Sequence, residues 1–399
     1  MSKPTPEFKV PLSSPDLTDL ERQAVLNVLQ TPNLSMGPEF QAFEKAIADY
    51  VGAKHAIAVS SGTSGLHLCV RAAGIQAGDL VLTTPFSFMA STNVILYEKA
   101  IPVFVDAEPE TGNIDPVKLA QAADDLSTGG AAARKWLPRK GAESRGPLKA
   151  LLPVDVFGQP AEMDAIRQTA AKHDLVIIED SCEALGSAYR GQPAGMLGDM
   201  GVFAFYPNKQ ITTAEGGLIV TDNDDYADMM RAMRNQGRAP GDTWLQHSYL
   251  GYNYRMDELS AALGRVQITR IDDLLKKRAQ VAAWYAERLA ELPLVDLPRV
   301  MPSTTRMAWF VYVIRVAAGI DRDAVIHQMA EKGIPARPYF APIHLQLYMM
   351  DMFGYQPGDY PVTEDLGNRG IAIPFSSVMT ENQVETVCQV LAKVLHSAK

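Results

Sequence analysis

The chain has 399 residues, 47% of them hydrophobic and 21% charged, with a formal net charge of −9. That length allows a large core divided into two or three units, and the acidic balance argues against nucleic acid or an anionic membrane as a general partner. Three scattered cysteines, Cys69, Cys182 and Cys388, do not make a disulfide framework and point to a reducing compartment, the cytoplasm. The start, Met1 to Pro6, has no apolar leader, and no apolar run approaches the ~20 residues of a membrane span.

Behind a proline-rich arm, Ser14 and Asp16 precede a helical pattern of Leu17, Leu20, Val25, Leu26 and Leu29 that stops at Thr31-Pro32. A turn from Leu34 to Pro38 opens a second helix with Phe40, Phe43, Ile47 and Tyr50 on one face. A strand over residues 55–59 then ends in Ser60-Ser61-Gly62-Thr63-Ser64-Gly65, ahead of a helix carrying Leu66, Leu68 and Val70. Small residues and free amides at a helix start suit an anion such as phosphate, although serine and threonine cap helices everywhere. A strand over 79–83 leads through Thr84-Pro85-Phe86-Ser87-Phe88 into another helix, and a strand over 101–106 into a turn and a short helix from Pro116. Residues 127–147 are rich in Gly, Ala and charge, with Arg134, Lys135, Arg139, Lys140 and Arg145. They read as a solvated loop, with a nucleotide diphosphate or a partner subunit as the sharper alternative for these charges.

A strand over 151–155 ends in a turn at Val156 to Pro160, a helix runs from Met163 to His173, and an apolar strand from Leu175 ends in Glu179 and Asp180. Strands separated by helices imply a mainly parallel sheet covered on both faces, with ligands at the carboxyl ends of its strands. Next, an apolar stretch from Gly201 breaks at Pro207 and presents Asn208 and Lys209; a polar loop ending Glu215-Gly216-Gly217 leads into a strand over 218–221. A lysine amine for covalent attachment and a buried carboxylate for a pyridinium nitrogen are the protein half of pyridoxal phosphate chemistry. Most strand-end lysines simply reach solvent, so Lys209 carries this reading only together with Asp180. A helix with Met229, Met230 and Met233, a turn from Tyr249 to Arg255, and a long helical region from Met256 to about Leu292 follow. The remainder reads as a smaller unit: an alternating strand over 309–314, a helix over 321–332, the stretch Arg337-Pro338-Tyr339-Phe340-Ala341-Pro342-Ile343-His344, and a final helix from Glu381.

Three motifs together, Glu-Asp-x-x-Glu-Ala-Leu-Gly at 179–186, Phe-Tyr-Pro-Asn-Lys at 205–209 with its Glu-Gly-Gly, and Gly-Tyr-Asn-Tyr-Arg-Met at 251–256, resemble the DegT/DnrJ/EryC1/StrS family of sugar aminotransferases. The resemblance runs from about Pro11 nearly to the end. It implies the α/β fold of pyridoxal phosphate-dependent transferases: a large cofactor-binding domain over 1–265, with a mainly parallel sheet flanked by helices, and a smaller α+β domain over 266–399. It implies that Lys209 binds the cofactor covalently and Asp180 its ring nitrogen, that Gly62, Thr63 and Ser64 cradle the phosphate, that Phe88 stacks on the ring, and that Glu183 lies near its phenolic oxygen. Asn253 is implied to reach the cofactor of the other subunit of a homodimer, and His344 and, more weakly, Arg337 to face substrate. The implied reaction moves an amine from an amino acid, L-glutamate, to a nucleotide-linked keto sugar; an aminocyclitol substrate, ring-forming amine chemistry or a non-catalytic regulator are the alternatives. One departure stands out: Ala204 occupies the position where many relatives have a phosphate-binding serine, and Asn208 or Thr212 are candidates to replace that hydrogen bond. No metal site is expected.

Overall fold

The computed structural model describes residues 8–397. Seven strands form the main sheet: His55–Val59 (β1), Leu80–Thr83 (β2), Ile101–Phe104 (β3), Leu148–Leu152 (β4), Val176–Asp180 (β5), Met200–Ala204 (β6) and Gly217–Thr221 (β7). Their spatial order is β1-β7-β6-β5-β4-β2-β3. Four of the six pairs are parallel and two are not: β2 pairs in parallel with β3 and β4, β4 with β5 and β5 with β6, whereas β7 runs antiparallel to both β6 and β1. The sheet is therefore mainly parallel, with a single reversed strand directly after the lysine loop.

Side chains alternate between the two faces of these strands, and both faces are buried. Val81, Ile178, Val202 and Ile219 join a core with the helices Gly62–Ala72, Met89–Tyr97 and Asp224–Arg234. Their neighbours Leu82 and Ile177 face the helices Pro116–Thr128 and Met163–His173, and Phe203, Leu218 and Val220 face Pro38–Val51. The helix Pro38–Val51 owes its start to a distant acid: buried Glu258 accepts the N–H groups of Gly37, Glu39 and Phe40, which the first turn leaves without intrahelical partners.

A second, antiparallel sheet of four short strands, in the order Val295–Asp296, Tyr312–Val316, Gly370–Ile373 and Arg337–Pro338, packs with the helices Arg322–Glu331 and Glu381–Ser397. The boundary expected at residue 265 falls inside the helix Glu258–Thr269; the chain bends afterwards, at Arg270, into Ile271–Leu289. That long helix belongs to both units, since Leu274 and Leu275 enter the core beside Phe203 while Val281, Ala282 and Tyr285 enter the core of the small sheet. The C-terminal unit also gives segments back: Thr304–Arg306 pairs with Ala188–Tyr189, and Ile343, Met349 and Phe353 pack under the large sheet. Segment 127–147 is less a loose loop than the sequence suggests. It contains a short helix, Gly130–Arg134, and is tied down where Arg139 forks onto Asp359 and Lys140 N–H donates to Phe353.

Candidate active site

Three chain segments meet at the carboxyl ends of β5 and β6, and missing side chains let them do so. A Cβ on Gly62 would lie 2.8 Å from Ala204 Cβ and 2.9 Å from Cys182 Sγ, and one on Gly217 would lie 2.4 Å from the Ser61 carbonyl. Since real Cβ contacts are not that short, the helix start at Gly62 takes the Ala204 and Cys182 side chains directly against its backbone, and Gly217 meets the Ser61–Gly62 turn backbone to backbone. The Glu-Gly-Gly motif finds its reason here, because any side chain at Gly217 would push β7 off the Ser61–Gly62 turn.

Lys209 lies in the turn after β6, five residues beyond its end, and its N–H donates to the Tyr206 carbonyl. Its side chain is 12% exposed, with Nζ 3.6 Å from Glu183 Oε1 and 3.9 Å from the centre of the Phe310 ring. A carboxylate on one side and an aromatic face on the other hold the amine in place rather than leaving it to move in solvent. Glu183 is buried and accepts the Phe157 N–H; burial pushes its carboxyl up, against the pull of Lys209. Phe157 adopts a left-handed backbone conformation, φ 59°, to present that N–H. Gln210 ties the lysine loop to the same turn by donating its side-chain amide to the Glu183 carbonyl at 2.5 Å.

Asp180 ends β5, buried, with its carboxylate accepting the Ser91 hydroxyl at 2.6 Å and the Cys182 N–H at 3.2 Å. Ser91 also lies against the Phe88 carbonyl, which places the start of the helix Met89–Tyr97 beside this acid. The Cys182 thiol reports the neighbourhood: burial pushes it well up, with Asp180 and Glu183 adding to the rise and Lys209 opposing it. Asp180, Glu183 and Lys209 thus all lie within electrostatic reach of the Cys182 thiol.

The residues present fit pyridoxal phosphate. Ser61 caps the helix Gly62–Ala72, its hydroxyl accepting the Ser64 N–H, and the first-turn amides of Gly62 and Thr63 point out of the helix end. Ser64 itself is buried and bonded to the hydroxyls of Ser60 and Ser61, so it shapes the cradle from behind. Phe88 is 67% exposed at a junction where a core phenylalanine would be covered, as Phe86 is. Asn208 Oδ1 is buried without a hydrogen-bond partner among the described residues, which leaves a polar atom available beside the lysine. Thr212, the other candidate to replace a serine at Ala204, is committed elsewhere: its hydroxyl donates to the Phe205 carbonyl and accepts the Ala214 N–H.

His344 departs from the expectation that it faces substrate. It is 0% exposed, its Nε2 lies 3.0 Å from Glu364 Oε1, and its ring packs edge-on to Tyr360. The physical reason is the Ile343 N–H, which donates to the Pro85 carbonyl and draws this stretch beneath the large sheet. Arg337 is exposed on the outer strand of the small sheet, while Tyr339, two residues on, lies nearer the centre, where burial and then Glu183 push its hydroxyl up. Asn253 is exposed, in a loop fixed to the cradle by the Ser60 N–H donating to Tyr254. Among the described residues no group of His, Cys, Asp and Glu is arranged to hold a metal.

Sequence reasoning missed Arg278. This buried guanidinium, 2% exposed, donates to the carbonyls of Asn208 and Lys209 at 3.1 and 2.6 Å and to those of Trp309 and Phe310 at 3.1 Å each. A signal existed: position 278 continues the apolar stripe of Ile271, Leu274, Val281 and Tyr285, where an arginine is out of place.

Comparison with known proteins places the chain in a family. Residues 15–392 match the model of the DegT/DnrJ/EryC1/StrS aminotransferase family. The chain is 38% identical to the GDP-perosamine synthase of Caulobacter vibrioides, over 97% of this chain and 98% of that protein. It is 34% identical to the spore coat polysaccharide biosynthesis protein SpsC of Bacillus subtilis, over 98% of each. Among solved structures, that of S. venezuelae DesV in complex with a ketimine intermediate superposes with a TM-score of 0.85, at 28% identity and 98% coverage of both chains. The chain belongs to the DegT/DnrJ/EryC1/StrS aminotransferase family and is a pyridoxal phosphate-dependent aminotransferase of the sugar-modifying kind.

Proposed function

We propose that this enzyme takes an amino group from an amino acid, L-glutamate, and delivers it to a keto sugar carried on a nucleotide. The observation that carries the proposal is the enclosure of Lys209 Nζ between the Phe310 ring and Glu183, which stands three residues after Asp180 in the chain. Support for the sugar comes from the GDP-perosamine synthase relative, whose name includes a guanosine diphosphate sugar.

When bound, pyridoxal phosphate supplies an aldehyde carbon that accepts amines and a ring that stabilises negative charge next to that carbon. Lys209 is the amine that holds the cofactor, and once freed it moves a proton between the reacting carbons as base and then acid. Asp180, aimed by Ser91, keeps the ring nitrogen cationic. The amides of Gly62 and Thr63 bind phosphate, with Ser64 supporting the turn and Asn208 as the side chain that makes good the missing serine at Ala204. Phe88 covers the ring and excludes water. Glu183 orients the Lys209 ammonium before it reacts. Asn253 completes the neighbouring site in a homodimer; the exposed Trp244, Leu245 and Leu250 just before it fit burial against a second copy.

The test loads purified protein with pyridoxal phosphate, adds L-glutamate, and follows loss of the absorbance band of lysine-linked cofactor. A panel of keto sugars on different nucleotides is then scored for restoration of the band. Bleaching by glutamate and recovery with one nucleotide-linked keto sugar are expected; recovery only with a free keto acid would contradict the sugar acceptor.

A further inference from the structure

We propose that Arg278 is a positioning residue for Lys209, fixing the direction of the reactive amine through the peptide carbonyls on both sides of it. This rests on Lys209 being the reacting amine.

The contacts of Arg278 form a closed path. One guanidinium nitrogen donates to the carbonyls of Asn208 and Lys209, the other to those of Trp309 and Phe310. The Phe310 ring is the surface on which Lys209 Nζ rests, 3.9 Å away. Arg278 therefore grips both the backbone that carries the amine and the backbone of the ring that receives it, so the amine, ring, carbonyls and guanidinium constrain one another. Trp309 lies within this path in a left-handed conformation, φ 47°, which a tryptophan adopts only when its surroundings impose it.

A packing role alone does not explain the residue. Among the described residues Arg278 forms no ion pair with a carboxylate, and burial pushes its guanidinium down to about 10, so it stays charged at neutral pH. Burying an unpaired cation is costly, and a neutral side chain of similar length would fill the space with less penalty. The planar fork does what a neutral side chain does not: two nitrogens in fixed geometry serve four acceptors at once. Its place in the fold agrees, at the point where the helix Ile271–Leu289 passes from the core of the large sheet to that of the small one.

The experiment compares apoprotein of the wild type, Arg278→Met and Arg278→Lys, each checked for native circular dichroism. Trace acetylation with acetic anhydride is followed by peptide mass spectrometry, with exposed Lys149 as internal reference. Losing charged hydrogen bonds is expected to shift relative labelling of Lys209 about tenfold in Arg278→Met. Arg278→Lys, which keeps the charge but not the fork, is expected to fall between wild type and Arg278→Met, and it decides the matter if the methionine variant does not accumulate. In the loaded enzyme, kcat is expected to drop about 10²-fold in Arg278→Met, with partial rescue in Arg278→Lys. The KM for the amino donor is expected to stay within about threefold. A folded variant with wild-type Lys209 labelling and kcat would overturn the proposal, as would loss of thermal stability without change in either. Lys209→Ala separates the two ideas: if it retains activity, the role of Lys209 itself falls; if it is inactive while Arg278→Lys behaves as wild type, only the role of Arg278 falls.

Discussion

Glu179 and Asp180 are adjacent in sequence, both acidic and both buried, yet they serve opposite sides of one strand. Asp180 turns to the crevice side, where the Ser91 hydroxyl and the Cys182 amide hold it. Glu179 turns inward and accepts the N–H groups of Gly195 and Leu197, with Ser181 between it and Asp155. Ser181 Oγ is 2.6 Å from Asp155 and 3.0 Å from Glu179, but one hydroxyl donates only once, so a proton on one of the two carboxyls completes the chain. Burial and the neighbouring Glu179 push Asp155 well up, which agrees; burial pushes Glu179 up as well, against its two N–H donors, which favour the charge. The strand pleat thus divides a two-acid motif between the crevice side, where Asp180 meets Ser91 and the Cys182 amide, and the interior, where Glu179 is sealed among buried amides.

The largest test of that division is on the crevice side. Lys209→Ala is expected to lower kcat by about 10³-fold or more, the scale of losing both the covalent amine and the proton carrier, with the unfolding midpoint little changed. Asp180→Asn keeps an acceptor for Ser91 but loses the charge, and kcat is expected to fall about 10²-fold in a folded protein, measured under saturating substrates. Glu179→Gln, one residue away, should do the reverse. It weakens the acceptor for two buried amides, so urea unfolding is expected to show a loss of about 1–3 kcal/mol while the folded enzyme keeps kcat near wild type. If Glu179→Gln proved catalytically dead yet fully stable, the division would be wrong.

Two smaller effects sharpen the same contrast. Ser91→Ala removes one hydrogen bond to a charged carboxylate and is expected to lower kcat about tenfold, leaving cofactor attachment intact by absorbance. Asp155 carries a raised carboxyl in the folded state, so the native protein binds more protons than the unfolded chain above the ordinary aspartate range. Stability is therefore lost as pH rises from that range toward the folded value. Asp155→Asn is expected to flatten this slope in urea titrations at several pH values, with its nitrogen donating where the acid proton did; a slope equal to wild type would contradict a protonated Asp155.

Legibility followed the range of the contacts involved. The Asp180 and Lys209 turns are local motifs on adjacent strands, and the alternation of strand and helix predicts a mainly parallel sheet, which the structure has. The glycines at 62 and 217 were visible as motif letters, but their reason, a backbone contact between strands far apart in sequence, was not. His344 was misplaced because its burial depends on Glu364, Tyr360 and the Pro85 carbonyl, none of them near it in sequence. Arg278 was overlooked because a run of Lys276, Lys277 and Arg278 on a charged helix reads as solvated surface, and only the positions of Leu274 and Val281 mark it as inward.

The most direct measurement of the central claim loads the full-length protein with pyridoxal phosphate, reduces it with borohydride, digests it and locates the cofactor mass by peptide mass spectrometry. The account predicts a single modified peptide, carrying the adduct on Lys209, and none in Lys209→Ala. A stoichiometric adduct on any other lysine, or undiminished labelling in Lys209→Ala, would contradict it.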